Sequence, residues 1–482
     1  MPTALSALAR EHLDRIRAFY DAAPTEPQAG ARAYRSLLAH YYNLLIPPDA
    51  SVLEIGCGSG ELLAQLRAAT KVGVDLSAHQ IEAARSRVPD AEFFVQAGEL
   101  IDLGGRRFDV IIISDTLNLA ADVQHLLERL HGVAQADTRL LLNFQNSLWR
   151  PLLTLARGLG LKAAQPQNSW LASSDVLNLL RLAGWLPVCH HGRLLLPFHA
   201  LGLGMLINRW LAPVAGWFCL TVFIVARPPR TATGRATALS KVEGLSVSVV
   251  IPARNEAGNI PAAVARTPDM GAGTELIFVE GHSRDDTWAE IQRVAAENPS
   301  RKIKLLQQSG KGKGDAVRAG FAVATGDILM ILDADLTMPP EELPKFYDLL
   351  ATGRAEFANG VRLVYPMDEK AMQFLNLCAN KTFGLIFTWL LGQPVKDTLC
   401  GTKVLTRAHY EKIAAGRAYF GDFDPFGDFD LLFGAAKLNL AIADVPIRYR
   451  ERTYGETNIQ RWKHGWLLLR MVWFAARKLK FV

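Results

Sequence analysis

Cysteine is scarce and scattered, with five in 482 residues, at positions 57, 189, 219, 378 and 400. No CxxC pair or Cys/His ligand spacing occurs, which argues against a structural zinc site and a disulfide scaffold. An odd, sparse set fits a reducing cytoplasm. Charge imbalance is also small, 53 Lys and Arg against 47 Asp and Glu, a formal +6. That surplus is too slight to mark a nucleic-acid binder, and no recognition-helix or aromatic-platform motif supports one. The N-terminus lacks the apolar core of a signal peptide and predicts a helical segment over residues 1–44. In Leu194–Ala226, Arg209 is the only Lys, Arg, Asp or Glu, and the part Trp210–Ala226 approaches a membrane-spanning length. Pro213 and Gly216 interrupt it, and the β-rich run Phe218–Val225 ends it. A loop or helix followed by a buried strand is expected there.

What is present is apolar matter for two cores. Half of the residues are apolar, and the length suits about two to four domains. Residues 228–244, rich in Pro, Thr, Ala and Gly without apolar periodicity, read as a linker. On either side, short apolar runs alternate with amphipathic stretches. The runs are Ser51–Ile55, Lys71–Val74, Val110–Ser114 and Arg139–Asn143, then Val247–Ile251, Leu276–Val279 and Ile328–Leu332. Such runs fit parallel strands buried on both faces. Glu61–Ala69 and Asp122–Leu130 fit crossover helices. The fold class is therefore α/β in both halves, with ligands expected at the carboxyl ends of the strands.

In the first half, VLEIGCGSGELL (52–63) reads as strand, glycine-rich turn and helix start. Gly56, Gly58 and Gly60 let the backbone turn and approach a ligand without Cβ clashes. Glu54 precedes the turn. Asp75 ends the next strand, 21 residues after Glu54, where an acid can accept hydrogen bonds from ribose hydroxyls. A dinucleotide fingerprint needs a glycine at position 61, where the chain has Glu61. The segment 45–227 resembles class I S-adenosylmethionine-dependent methyltransferases, with a Rossmann-like fold. The resemblance continues through FDVIIISDTLNL (108–119), a fifth strand at 139–143, and a terminal pair near 185–190 and 218–226. It implies S-adenosyl-L-methionine as cofactor, held by the glycine loop and Asp75. It departs at Gly98, where relatives often carry an acid for the adenine; Glu99 or Asp102 are the nearby substitutes. Asn118 replaces a common His. Asp115 and Asn118 either line an acceptor pocket or cap the next helix.

In the second half, VSVVIPARNEAGNI (247–260), LIFVEGHSRDDT (276–287), SGKGKGDAVRAG (309–320) and ILMILDADLTMPPEEL (328–343) follow in order. The last delivers Asp333 and Asp335 to a strand end with one residue between them. Two carboxylates so placed repel unless a cation sits with them, and Mg²⁺ or Mn²⁺ favours such ligands. Lys311 and Lys313, in a glycine-rich turn, can offset a diphosphate. No Walker-type P-loop spacing is present. This order resembles the inverting family-two glycosyltransferases of GT-A (nucleotide-diphospho-sugar transferase) fold, over 245–460. The resemblance implies that Pro252, Asn255 and Glu256 border the nucleoside. Glu280 and Asp285 then fall in the acidic turn after the second strand, Asp333 and Asp335 bind the metal, and Asn359–Arg362 lies near the donor sugar. KDTLCGTK (396–403) and IRYRERTYGETNI (447–459) look like polyprenyl- or dolichyl-phosphate hexosyltransferases, which places Asp397, Arg452 and Thr457 at the acceptor phosphate. A hydroxyl acceptor needs a base, for which FGDFDLL offers Asp428 and Asp430, the latter 95 residues after Asp335.

The surplus charge has a place. Residues 441–482 hold nine Arg and Lys against three acids, and the other 440 residues are balanced. The terminal stretch 461–482 interleaves basic residues with Trp462, Trp466 and Trp473. Such a helix either lies in an anionic membrane surface or docks on its own domain. The expectation is a bifunctional cytoplasmic enzyme, peripheral at the inner face of the plasma membrane. It joins sugar transfer from a nucleotide-sugar (UDP-glucose or GDP-mannose type) to a lipid-phosphate or glycan acceptor with methyl transfer. The alternative is an active glycosyltransferase carrying a non-catalytic methyltransferase-like binding or docking domain.

Overall fold

The computed structural model describes residues 5–26, 29–158, 166, 171–197, 203–229, 244–364, 374–419, 429–450, 452, 454 and 461–482. The chain divides into two compact units, Met1–Thr233 with Phe481, and Gly234–Lys480 with Val482. Most of the expected linker, and the candidate residues Asp428 and Thr457, lie outside the described residues.

The first unit holds β1 (Ser51–Ile55), β2 (Thr70–Asp75), β3 (Glu92–Val95), β4 (Phe108–Ser114), β5 (Ala134–Gln145), β6 (Leu186–Leu194) and β7 (Thr221–Arg227). Their order is β3-β2-β1-β4-β5-β7-β6. β1 to β5 run parallel, while β7 pairs antiparallel with both β5 and β6. Ile111, Ile112 and Ile113 are buried in succession. That fits a central strand covered on both faces, which has no solvent side to alternate towards. The weakly charged stretch resolves as expected into the helix Leu203–Trp210, a turn, and the wholly buried β7. Among the described residues no helix is long and apolar enough to cross a membrane.

One expected helix is absent. After the glycine turn, Glu61–Ala69 forms only the 3-10 turn Leu63–Gln65. Asn43 on the helix Ala29–Leu45 supplies the reason. Its amide donates to the Gln65 carbonyl at 2.9 Å and accepts from the Arg67 N–H at 2.8 Å. Those are backbone groups that a continuing helix would need for itself. The other expected crossover forms as Val123–Arg129, with Asp122 as its N-cap.

The second unit holds β8 (Val247–Ala253), β9 (Thr274–Glu280), β10 (Lys302–Gln307), β11 (Ile328–Ile331), β12 (Phe357–Val361), β13 (Lys403–Thr406) and β14 (Ile442–Pro446), in the order β10-β9-β8-β11-β13-β12-β14. β13 is antiparallel to both of its neighbours, and the remaining pairs are parallel. The seven apolar runs read as parallel strands are parallel, and each unit adds one antiparallel strand, β7 or β13, whose direction the sequence does not assign. Burial on both faces gives the same sequence pattern whichever way a strand runs, so the two antiparallel insertions leave no mark in the sequence.

Candidate functional sites

In the first unit the carboxyl ends of β1, β2, β4 and β5 share one edge of the sheet. Gly56, Gly58 and Gly60 all take left-handed backbone angles there, with φ of 72°, 52° and 76°. A Cβ on Gly56 would collide with Thr116, whereas one on Gly58 would meet nothing within 4 Å. The loop is packed on one side and open on the other, where a ligand can approach its backbone. Asp75 accepts from the Gly58 N–H at 2.8 Å and from the Ser77 N–H at 2.9 Å. Burial nonetheless raises its pKa. Glu54 is buried, and its Oε2 has no hydrogen-bond partner among the described residues. Burial pushes its pKa up to about 8, against the pull of Arg35.

Beside this loop stands a polar network that the sequence did not reveal. The helix Ala29–Leu45 presents Tyr34, Arg35 and Tyr42 to the ends of β4 and β5. Asp115, at φ 53°, accepts from Asn143 Nδ2 at 2.8 Å and from the Tyr34 hydroxyl at 3.3 Å, with Arg35 at 3.8 Å. Tyr42 donates to Asn143 Oδ1 at 2.7 Å. Tyr34 and Tyr42 lie two helical turns apart with the buried Leu38 between them. That i, i+4, i+8 face was the available signal, but it lies outside the glycine-loop segment. Asp115 joins this network, and the capping position belongs to Asp122. The substitutes for an adenine acid are both engaged by backbone N–H groups, Asp102 within its own loop and Glu99 from the segment after β4. Glu99 accepts the Ala121 N–H at 2.8 Å, and Asp102 accepts the Gly104 N–H at 3.0 Å.

The second site gathers at the carboxyl end of β11. Asp333 pairs with Lys313 at 2.6 Å. Asp335 pairs with Arg452 at 2.5 Å and accepts from the Thr337 hydroxyl at 2.8 Å. Arg452 also reaches Glu256 at 3.7 Å. Glu256 accepts from Asn259 at 2.7 Å. Burial raises its pKa to about 7, with Asn259 and Arg452 opposing and the two aspartates reinforcing. The Asp333 carboxyl is held below its usual range because Lys313 outweighs the cost of burial. Gly401 is required here by close approach, since a Cβ would run into the Asp333 carboxylate and the Lys313 amine. The KDTLCGTK loop therefore lies directly on Asp333 and Lys313.

The remaining candidates hold the loops around it. Pro252 lies on β8. Asn255 accepts from the Arg284 N–H at 2.7 Å, and its own N–H donates to Ser283 at 3.0 Å. Glu280 accepts the Ser283 N–H at 2.5 Å. Burial acts to raise the Asp285 pKa, but hydrogen bonds from Thr287 and the Ala257 N–H hold it low. Asp397 is wholly buried and forms a two-pronged pair with Arg362, at 2.7 and 2.9 Å. Arg362 also stacks over Tyr449 at 5.1 Å. Lys311 is exposed on the turn before the helix Lys313–Val323, and only Lys313 of the two reaches the aspartates. Asp430 pairs with Arg417 at 3.3 Å.

Comparison with known proteins agrees with this division. Residues 248–413 match the family model described as Glycosyl transferase family 2, and residues 53–140 match that described as Methyltransferase domain. The two matches fall one in each unit, a methyltransferase domain in the first and a family 2 glycosyltransferase domain in the second. It is 27% identical to a dolichol-phosphate mannosyltransferase of Pyrococcus furiosus, over 45% of this chain and 60% of that one. It is 31% identical to an undecaprenyl-phosphate 4-deoxy-4-formamido-L-arabinose transferase of Pseudomonas aeruginosa, over 44% of this chain and 59% of that one. The match thus spans less than two thirds of either relative. A solved glucosyl-3-phosphoglycerate synthase of Mycobacterium tuberculosis aligns at TM-score 0.35 and 20% identity, over 49% of this chain and 80% of that one.

Proposed function

We propose that the second unit transfers a hexosyl group from a nucleotide-sugar to a polyprenyl-phosphate acceptor. The observation that carries this reading is the aspartate pair at the end of β11, with Lys313 on one carboxylate and Arg452 on the other. The donor set fits a divalent cation, since hard oxygen ligands suit Mg²⁺ or Mn²⁺. Asp333 and Asp335 would hold the ion, which when bound neutralises the departing diphosphate. Lys313 offsets the same charge from the protein side. Pro252, Asn255, Glu256, Glu280 and Asp285 shape the nucleoside side of the cleft, and Arg362, fixed by Asp397, faces the donor sugar. Arg452 and Thr457 take the acceptor phosphate, for which a guanidinium offers parallel hydrogen bonds. A phosphate acceptor is already anionic and needs no base; a glycan hydroxyl would call on Asp430 or Asp428. The donor is of UDP-glucose or GDP-mannose type. The relatives named for dolichol- and undecaprenyl-phosphate transfer support a lipid acceptor, and the basic, tryptophan-bearing terminal helix supports action at an anionic membrane surface. A nucleotide-sugar panel with Mn²⁺, with and without polyprenyl phosphate, tests this by nucleoside diphosphate release. Release unchanged in Asp333→Asn and Asp335→Asn would refute the assignment.

The first unit, on the same reading, binds S-adenosyl-L-methionine and transfers its methyl group. The open side of Gly58 and the orphaned oxygen of Glu54 fit a polar ligand at the glycine loop. The bound cofactor supplies the electrophilic methyl, while the protein aligns the acceptor in a dry pocket. A non-catalytic binding or docking role is the second reading, favoured by Glu99 and Asp102 being engaged with backbone N–H groups of the protein itself. Calorimetry with S-adenosyl-L-methionine, followed by a search for methyl incorporation into the glycan product, separates the two. Binding without incorporation supports a binding role, and no binding supports docking.

A further inference from the structure

The helix Leu203–Trp210 is built inside out for a water-exposed helix. Its buried residues are Gly204 and Asn208, while Met205 and Leu206 face out and the part-exposed Trp210 stacks on Phe481 at 5.1 Å. Asn208 pins it down, accepting from the Leu195 and Leu196 N–H groups at 2.9 and 3.0 Å and donating to the Leu196 carbonyl at 2.7 Å. The polar side is thus spent on the protein and the apolar side is left outward, the reverse of ordinary amphipathic packing. The apolar surface continues beyond the helix. Val214 and Trp217 project from the following turn, Trp217 at 75% exposure. The next element over is tied on by the Trp149 indole N–H, which donates to the Phe218 carbonyl at 2.8 Å, and by the Asn146 amide, which donates to the Trp217 carbonyl at 3.1 Å. From there the helix Arg150–Gly158 adds Leu152 and Leu155, both exposed.

The segment that carries this face is poor in acids. Residues 138–242 contain eleven Lys and Arg and a single acid, Asp175. Arg150 and Arg209 are exposed on the two helices that carry the outward leucines and tryptophan. Clustered outward leucines beside Val214 and Trp217 are the kind of surface that marks an interaction site. Leucine and tryptophan set among arginines match the headgroup boundary of an anionic bilayer, where indoles are wetted at one end and arginines meet lipid phosphates.

We propose that this face of the first unit, the outward sides of Arg150–Gly158 and Leu203–Trp210 with the turn that follows, docks on an anionic lipid bilayer. It anchors the methyltransferase unit itself at the membrane surface, so that this unit works on acceptors presented there. The docking itself does not depend on the transferase assignments, while its use for acceptors at the membrane rests on the methyltransferase reading above.

The test is co-flotation of the full chain with vesicles of phosphatidylcholine alone and of phosphatidylcholine mixed with phosphatidylglycerol, without donor, acceptor or metal. Binding is expected only to the mixed vesicles, to weaken with salt, and to fall by about tenfold or more in Leu206→Ser/Trp217→Ser. Val214→Trp should strengthen it and Val214→Glu should abolish it, which keeps the test independent of any one variant's folding. Trp466→Ser/Trp473→Ser, in the terminal helix, reads the other contribution. Absence of vesicle binding, or binding lost only in the terminal-helix variant, overturns the proposal. So does a wild-type dimer in light scattering that Val214→Glu converts to monomer, because a second copy would then be the occupant. Since no transfer reaction is read, failure leaves the function proposed for either unit standing.

Discussion

Arg452 stands where a cation is wanted. Its guanidinium lies 2.5 Å from Asp335 and 3.7 Å from Glu256, so it neutralises a carboxylate that the proposed metal would also use. Metal binding must then draw Asp335 away from Arg452, and Arg452→Ala should bind Mn²⁺ more tightly than wild type. A charge-assisted hydrogen bond is worth about 1.5–3 kcal/mol and an exposed ion pair about 0–1 kcal/mol. Here the side chains are 27% and 14% exposed, between those limits, so about 1–2 kcal/mol is released. That is about 5- to 30-fold in Mn²⁺ affinity. Calorimetry with Mn²⁺ alone reads it. The acceptor should respond oppositely, with a higher KM for polyprenyl phosphate, because the same arginine is proposed to hold its phosphate. Glu256 adds a pH signature. Its pKa of about 7 is raised, so the proton is bound in the folded state below that pH, and an arriving cation expels it. Metal binding should therefore release a proton near pH 6.5 and little above pH 8, visible in buffers of different ionisation enthalpy. Unchanged or weaker Mn²⁺ binding by Arg452→Ala would refute the competition.

Three further outcomes follow from the same contacts. Gly401→Ala places a methyl group on Asp333 and Lys313; it should impair Mn²⁺ and donor binding while leaving the circular dichroism spectrum intact. Asp397→Asn leaves the buried Arg362 without its charge partner, and urea unfolding should show a loss of about 3–5 kcal/mol. In the first unit the folded pKa of Glu54 is raised to about 8. Its contribution to stability is thus full below the unfolded carboxylate pKa of about 4.3 and is lost as pH rises through 8. Glu54→Gln should therefore gain thermal stability relative to wild type between pH 5 and 9, a difference that melting curves across that range will detect.

Much of the framework was legible because it is local. The run Ser51–Ile55 is β1 residue for residue, and Asp333 and Asp335 follow β11 as read. A buried strand needs an unbroken apolar run, and a turn next to a ligand needs glycine, so both leave a mark within a dozen residues. The crossover after β1 was misread because its helix is cut short by Asn43, a residue before the strand that no periodicity could connect to it.

The sequence by itself determined two α/β halves, a glycine loop with a distal acid, and an aspartate pair awaiting positive charge. Tertiary structure alone decided which positive groups answer it: Lys313 rather than Lys311, and Arg452 from 117 residues away. It also decided that Tyr34, Arg35 and Asn143 close around Asp115, and that the weakly charged stretch before β7 turns its apolar side outward. Each of these depends on which elements the sheet order brings together. Composition and spacing record what a segment carries, but the partner across the sheet edge is set by packing.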